Sequence, residues 1–414
     1  MRKIKGGVTT AMGFKAAGIE AGIRKKDKKD MAIVYSETPC IAAGTFTTNL
    51  VKAAPVVWCK ELLTNGMPKH AVVLNSGIAN ACMGKQGKED NYAFAKAVAD
   101  ELGLEPEQIF TASTGVIGQP MPMDAIKEGA KKLVKAMKDD EDAGHDAAKA
   151  IMTTDTKSKE CAANFSIIDE DIEITVGGMS KGSGMIHPNM ATMLSVVTTD
   201  INIDQALLQE AASRVISETF NMISVDRDTS TNDTFIILAN GLAGNEKIVK
   251  KDKNYDNFET ALKVVCKTLA KKMAADGEGA SKLMECKVRN AKTKEDAVKL
   301  AKSVISSNLV KAALYGSDAN WGRILCALGY SGAWFDPEKV DVYIEVESED
   351  DEEFKLQLVE DGMATDYSEE VATEMLSQDK VTIKIDVKAG YEKATAWGCD
   401  LTYDYVKING DYRS

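Results

Sequence analysis

Apolar residues recur at helical spacing in three segments of the chain. In residues 123–138, four apolar residues fall on one face of a helix, namely Ile126, Ala130, Val134 and Met137. Segments 205–220 and 258–273 show the same spacing of Leu, Val and Ala. Because an α-helix repeats every 3.6 residues, this spacing predicts three amphipathic helices.

Seven further segments are rich in β-branched and aromatic residues, which predicts strands. They are residues 32–36, 71–76, 172–176, 234–239, 340–346, 354–359 and 381–387. The last three alternate apolar and polar residues, as half-buried antiparallel strands do. Helical and strand patterns interleave along the chain, so we predict a mixed α/β fold.

Two charge runs and one polar stretch separate these segments. The runs RKKDKKD at residues 24–30 and ESEDDEE at residues 347–353 are typical of solvated loops or hairpin tips. The stretch KDDEDAGHDAAKA at residues 138–150 is interpreted as a helix end followed by a polar linker.

Length and composition narrow the class of protein. A chain of 414 residues predicts two or three domains. Its net charge of -12 argues against nucleic acid or an anionic membrane as a partner. Neither a bilayer-spanning apolar run nor a secretory signal is evident in the sequence, so a cytoplasmic protein is expected. Eight scattered cysteines and three histidines without ligand spacing predict free thiols and no metal site.

The densest chemical signal lies at residues 177–200, where four glycines surround Ser180, Lys181 and Ser183. Residues 178–182 fit the serine-hydrolase pattern G-x-S-x-G, but no helix can start in the following GSGMIHPNM, and no histidine follows His187. A phosphate-binding loop is also disfavoured, since G-x-x-x-x-G-K-[ST] is absent.

A third interpretation is an N-terminal threonine nucleophile created by self-cleavage before Thr192. The α-amine of such a threonine has an ordinary pKa of about 7.7–8.0, so it can act as the base for its own hydroxyl. Ala191 is small and leaves the hydroxyl access to the scissile carbonyl. From spacing alone, a plain buried strand beginning at Thr192 is the favoured interpretation of the segment.

Ordered motifs over nearly the whole chain resemble the ornithine acetyltransferase (glutamate N-acetyltransferase) family of the arginine pathway. They are GTFTTNLVKAAPV at 44–56, NSGIANACMG at 75–84, STGVIG at 113–118, MTTDT at 152–156, ATML at 191–194, SVDRDTSTNDT at 224–234, DGEGASKL at 276–283, GSDANWGRI at 316–324 and the C-terminal 396–414. Ile78 departs from this pattern, since the family has a polar residue there.

The resemblance implies a two-domain α/β fold that cleaves itself between Ala191 and Thr192. The products would be an α chain of residues 1–191 and a β chain of residues 192–414, assembled as a heterotetramer of two copies of each. Thr192 would be the nucleophile, and Thr114 with Gly115 would form the oxyanion hole. The implied substrate contacts are Lys181, Thr192, Glu278, Asn409, Ser414 and either Thr153 or Thr154.

The implied reaction moves an acetyl group from N2-acetylornithine to glutamate through acetyl-Thr192. No cofactor or metal is expected, and acetyl-CoA stays open as a second acetyl donor. Two other functions compete with this one. One is a threonine-nucleophile amidohydrolase or aminopeptidase, which would use water as the acceptor. The other is a non-catalytic binding protein with an intact chain.

Overall fold

The chain divides into two compact units in a computed structural model that describes residues 1–24, 27–168, 170–187, 193–347 and 353–410. The first unit comprises residues 1–221 and 228–269, and the second comprises residues 222–227 and 270–414. Both contain helices and strands, which confirms the predicted mixed α/β class and the division into more than one domain.

Among the described residues of the first unit, nine strands form one sheet. They are β1 (Arg2–Ile4), β2 (Phe14–Ile19), β3 (Met31–Phe46), β4 (Lys69–Ile78), β5 (Ile109–Val116), β6 (Lys159–Ser166), β7 (Glu173–Lys181), β8 (Leu194–Thr199) and β9 (Thr234–Ala239). The order along the sheet is β1-β6-β7-β8-β9-β3-β4-β5, and β2 pairs with β3 beside this path. The long strand β3 links the strands β4 and β5 on one side of the sheet to the strands β9, β8, β7, β6 and β1 on the other. Its start pairs with β4 and its end pairs with β9.

Within the described residues, six α-helices lie wholly or, in the case of the last, mostly in the first unit. They are α1 (Ala54–Leu62), α2 (Gly84–Leu102), α3 (Met123–Ala136), α4 (Glu141–Ala150), α5 (Gln205–Glu218) and α6 (Lys253–Ala275).

Strand β4 shows why its own sequence is a nearly continuous apolar run. Val72 and Leu74 belong to one core cluster, whereas Ala71 and Val73 belong to the other. A strand covered on both faces needs apolar side chains at every position.

In the described part of the second unit, six strands form a separate sheet. They are β10 (Leu283–Ala291), β11 (Asp341–Glu347), β12 (Glu353–Glu360), β13 (Met363–Ala364), β14 (Lys380–Asp386) and β15 (Glu392–Cys399). The order is β13-β12-β11-β14-β10-β15, with β10 and β14 parallel and the other pairs antiparallel. The helices are α7 (Lys294–Ser306), α8 (Asn308–Tyr315), α9 (Trp321–Gly329), α10 (Glu369–Leu376) and α11 (Tyr403–Gly410).

All three predicted helices are confirmed as α3, α5 and part of α6, and the seven predicted strands are confirmed as β3, β4, β7, β9, β11, β12 and β14. The first charge run is less solvated than predicted. Its Asp30 is buried and accepts hydrogen bonds from the N–H groups of Ala21, Ile23 and Arg24. Residues 25–26 and 348–352 of the two runs lie outside the described residues.

The prediction of a polar linker at residues 138–150 is wrong, because most of this stretch is helix α4. The Asp140 side chain caps the helix by accepting a hydrogen bond from the Ala143 N–H at 2.8 Å. The buried side of α4 consists of small residues and lies against β2. There, a Cβ on Gly18 would stand 2.0 Å from the Asp146 carbonyl oxygen. Small side chains permit this close contact, so the helix needs little hydrophobicity.

None of the helices in the described part of the chain has both the length and the apolar character needed to cross a membrane.

Candidate active site

The predicted oxyanion residues lie at the C-terminal end of β5, beside the parallel strand β4. Thr114 is in register with Ser76, and Gly115 with Gly77. Gly115 has a φ of 130°, and a Cβ there would stand 2.2 Å from the backbone of Gly77. Only glycine fits such a position. Ligand sites of α/β sheets commonly form at the carboxyl ends of parallel strands, where Thr114 and Gly115 lie.

Lys181 lies beside Thr114, so the structure brings two predicted site residues together. Its Nζ donates a long hydrogen bond of 3.4 Å to Thr114 Oγ1. The lysine ends β7, and only 10% of its side chain is exposed. Its register partner is Leu194, which follows the predicted nucleophile by two residues. Since an ammonium has no acceptor, Thr114 must accept here and keeps its own O–H hydrogen for another partner.

Asp155 is a buried side chain beside Lys181 that was not predicted from the sequence. It is buried, and it accepts hydrogen bonds from Lys159 Nζ at 2.6 Å, the Gly182 N–H at 2.7 Å and the Thr153 N–H at 3.1 Å. Its Oδ2 lies 4.0 Å from Lys181 Nζ. Burial alone would raise the pKa of Asp155, but Lys181, Lys159 and the Gly182 N–H outweigh it and lower the pKa to about 2.

The two threonines of the MTTDT motif differ in their contacts. Thr153 donates its backbone N–H to Asp155, as described above. The Thr154 hydroxyl lies 2.7 Å from the hydroxyl of Ser183, a fully buried residue of the glycine-rich segment. Both threonines are half-buried, so the choice between them as the substrate contact stays open.

Ala191 and Thr192 lie outside the described residues, together with residues 188–190. The chain on both sides is held by the SVDRDTSTNDT motif. The Thr229 hydroxyl donates to the His187 carbonyl at 2.9 Å, and the Thr234 N–H donates to the Met193 carbonyl at 2.8 Å. This motif therefore holds His187 and Met193, the described residues that flank positions 188–192.

Asn232 of the same motif is a second residue that the sequence analysis missed. It is buried, and its Nδ2 donates to the carbonyls of Ala79 at 2.6 Å and Ser113 at 2.8 Å. Ser113 immediately precedes Thr114, so Asn232 stabilises the backbone of the predicted oxyanion strand. The departure at Ile78 leaves this region intact, because Ile78 packs partly buried against a core cluster.

The structure contradicts the serine-hydrolase interpretation of residues 178–182. Ser180 lies inside β7, is 1% exposed, and has Lys159 and Ser195 as its register partners. A nucleophile elbow places its serine at an exposed turn between a strand and a helix. Ser180 is therefore a buried strand residue.

In the second unit, the structure brings Glu278 and Asn409 together. Glu278 is buried, and its Oε2 accepts a hydrogen bond of 2.7 Å from Asn409 Nδ2 on α11. The next residue, Gly279, has a φ of 68°, and a Cβ there would stand 2.7 Å from the Tyr405 backbone nitrogen. Glycine thus lets α11 approach the DGEG turn closely. Ser414 lies outside the described residues.

Comparisons with known proteins place these motifs in a family. A profile described as the ArgJ family matches residues 15–414. The arginine biosynthesis bifunctional protein ArgJ of Symbiobacterium thermophilum is 50% identical over 416 residues, covering 100% of both chains. The protein of the same name from Caldanaerobacter subterraneus subsp. tengcongensis is 49% identical over 414 residues, again covering 100% of both chains.

A solved structure is also similar. Ornithine acetyltransferase from Mycobacterium tuberculosis, crystallised with ornithine, is 44% identical with a TM-score of 0.43, over 46% of this chain and 99% of that chain. The profile over residues 15–414 and the two relatives named as bifunctional proteins confirm the family predicted from the motifs. This chain belongs to the ArgJ family.

Proposed function

We propose that this chain is a self-cleaving acetyltransferase of arginine biosynthesis, which moves an acetyl group from N2-acetylornithine to glutamate. The observation that carries the proposal is the cluster of Thr114, Lys181 and Asp155 at the end of β5, in a chain of the ArgJ family. Its relatives are named as bifunctional proteins of arginine biosynthesis. That name favours acyl transfer over simple hydrolysis of an amide.

In the proposed first step, the α-amine of Thr192 takes the proton of the Thr192 hydroxyl, whose oxygen attacks the acetyl carbonyl. The Thr114 O–H and the Gly115 N–H donate to the resulting oxyanion. Collapse of this intermediate breaks the C–N bond, and ornithine leaves with a proton from the α-ammonium. The glutamate amine then attacks the acetyl ester, which regenerates Thr192.

The charges around Asp155 suit a substrate carboxylate. Lys159 and Lys181 surround the single carboxylate of Asp155, so these three groups sum to a charge of +1. We assign Lys181 to the α-carboxylate that both substrates share. Glu278 is assigned to the side-chain ammonium of ornithine, with Asn409 and Ser414 as further contacts. Every step uses groups of the chain and its substrates, so the proposed reaction requires no metal or cofactor.

The first test is a denaturing gel of the purified chain with N-terminal sequencing. We expect two fragments, residues 1–191 and 192–414, and one full-length band for Thr192→Ala, which should also lack acetyl transfer. Thr192→Ser keeps a hydroxyl and should retain some cleavage. The matched control is Thr260→Ala, an exposed threonine of α6, which should cleave and react normally. Cleavage of Thr192→Ala between residues 191 and 192 would exclude this nucleophile.

The second test separates transfer from hydrolysis. With N2-acetylornithine alone, mass spectrometry should find an acetylated 192–414 fragment, and adding glutamate should release N-acetylglutamate with ping-pong kinetics. Release of acetate at the same rate without glutamate would instead establish the amidohydrolase.

A third test concerns the acetyl donor. With acetyl-CoA as donor we expect at most a small kcat/KM, and values comparable to those for N2-acetylornithine would contradict this. We also propose a cytoplasmic location and an assembly of two α and two β chains. Native mass spectrometry of the purified protein tests the assembly.

A further inference from the structure

We propose that Asp155 is a positioning residue for acetyl transfer, which holds the ammonium of Lys181 against Thr114 so that the Thr114 hydroxyl presents its hydrogen to the reacting carbonyl. The inference rests on the proposed function, and it adds a role that neither the motifs nor the family assignment give to Asp155. It is carried by the geometry of three side chains in the first unit.

The first step is the direction of the Thr114 hydroxyl. A hydroxyl has one hydrogen and rotates freely, so by itself it is a poorly oriented donor. Lys181 Nζ lies 3.4 Å from Thr114 Oγ1 and can only donate. Its contact occupies an acceptor direction of the oxygen and turns the hydroxyl hydrogen away from the lysine. Donors that are oriented before the reaction stabilise an oxyanion without reorganisation.

The second step is what holds Lys181. Its flexible four-carbon side chain needs an anchor, and Asp155 Oδ2 lies 4.0 Å from Nζ. The carboxylate is itself fixed by Lys159, the Gly182 N–H and the Thr153 N–H. Its lowered pKa keeps it charged at neutral pH. A fixed, buried and ionised carboxylate attracts an ammonium strongly, because little water screens the pair.

A purely structural role for Asp155 is the competing explanation. Lys159 is 1% exposed, so its ammonium needs a counter-ion whatever the enzyme does. Asp155→Asn alone would remove the carboxylate beside that buried ammonium and is a poor test. The double variant Asp155→Asn/Lys159→Met removes both buried charges together, so it separates the two roles.

The experiment measures steady-state acetyl transfer from N2-acetylornithine to glutamate. For Asp155→Asn/Lys159→Met we expect kcat to fall about 10- to 100-fold, and KM for N2-acetylornithine to rise as well, because Lys181 is also assigned to the substrate carboxylate. In a Thr114→Ala background, the same double substitution should lower kcat less than about 3-fold further, because the hydroxyl that Asp155 positions is gone. The matched control is Asp200→Asn, a buried carboxylate that accepts the N–H groups of Met12 and Thr175. It should stay within about 3-fold of the wild type.

An unchanged kcat in the double variant, or an equal loss in both backgrounds, would overturn the positioning role. If the double variant does not fold, Asp155→Glu is the second variant. It keeps Lys159 paired while displacing the carboxylate, and a wild-type kcat would likewise overturn the inference. Absence of acetyl transfer in the wild-type enzyme would refute the proposed function itself, so the two failures are distinguishable.

Discussion

Gly115 combines a backbone conformation that only glycine adopts easily with a proposed role in the oxyanion hole. Its φ of 130° is strained for any other residue, and a Cβ would stand 2.2 Å from the Gly77 backbone. We expect Gly115→Ala to lose at least about 3 kcal/mol of unfolding free energy, because strain and overpacking add. It should also lose nearly all acetyl transfer, since the N–H group proposed to bind the oxyanion would move. Urea unfolding and kcat measure the two effects.

Gly118 supplies the control for this substitution. It also has a positive φ, 74°, but a Cβ there would meet no atom within 4 Å. Gly118→Ala should therefore cost only about 1 kcal/mol and leave kcat near the wild-type value. Equal destabilisation by the two substitutions would show that φ strain alone matters and that the contact between β4 and β5 does not.

The lowered pKa of Asp155 predicts that the free energy of unfolding depends on pH. Its pKa is about 2 in the folded chain, against an ordinary value of 3.8. A lowered carboxylate pKa stabilises the fold above the unfolded pKa, and this contribution disappears as the pH falls through the folded pKa. Between pH 5 and pH 2, the wild type should lose about 2 kcal/mol more unfolding free energy than Asp155→Asn/Lys159→Met. Urea titrations at several pH values test this, and parallel curves for the two proteins would contradict it.

The sequence predicted some site residues and missed others for a physical reason. Thr114, Lys181, Glu278 and Asn409 came from the family resemblance, and the structure places them in two pairs. Asp155 was missed, because the motif MTTDT does not show which of its polar residues is buried. Nothing in a local sequence distinguishes a buried aspartate from a solvated one. The counter-charge at Lys181 lies 26 residues further along the chain.

At the level of elements, apolar periodicity predicted the helices and strands that bury large side chains. The strands β4 and β9 and the helices α3 and α5 all carry branched apolar side chains, and each was predicted near its observed position. Helix α4 was missed because its buried residues are almost all alanine and glycine. Their small area gives little hydrophobic signal, although it permits the close approach to Gly18. Packing of small residues depends on the partner strand, which periodicity does not reveal.

The N-cap of α4 provides a test of that explanation. A helix of weak hydrophobicity should depend more than usual on its cap, and the Asp140 side chain accepts the Ala143 N–H. We expect Asp140→Ala to cost about 1 kcal/mol of unfolding free energy, measured by urea denaturation. The adjacent Asp139→Ala removes a similar exposed charge without removing the cap and should cost less than about 0.5 kcal/mol. Equal effects would attribute the loss to charge alone.

For the whole molecule, the two compact units and the two predicted fragments divide the chain at different places. The first unit extends to residue 269, apart from residues 222–227, whereas the proposed cleavage site follows residue 191. Cleavage would therefore cut through one unit. Within its sheet, β8 and β9 come after position 192 but lie between β7 and β3, which come before it. The resemblance supplied the cleavage site, and only the structure shows how the strands interleave.

This interleaving predicts that the fragments stay together after cleavage. Separation would expose apolar side chains that are now buried on β8 and β9, among them Val196, Val197, Ile236, Ile237 and Leu238. Each contributes about 2 kcal/mol to the assembly. Separation would also leave rows of unpaired backbone groups on β7 and β3. These free-energy costs greatly exceed the stability that the fold loses when the single peptide bond at the cleavage site breaks.

We therefore expect native size-exclusion chromatography of the cleaved protein to give one species that contains both fragments in equal amounts. Denaturant should separate them, and the uncleaved Thr192→Ala chain should elute natively at the same volume as the cleaved protein. Fragments that elute separately under native conditions would show that β7 and β3 do not retain β8 and β9. Because the comparison uses the same chain with and without the break, any difference in elution reports on the shared sheet.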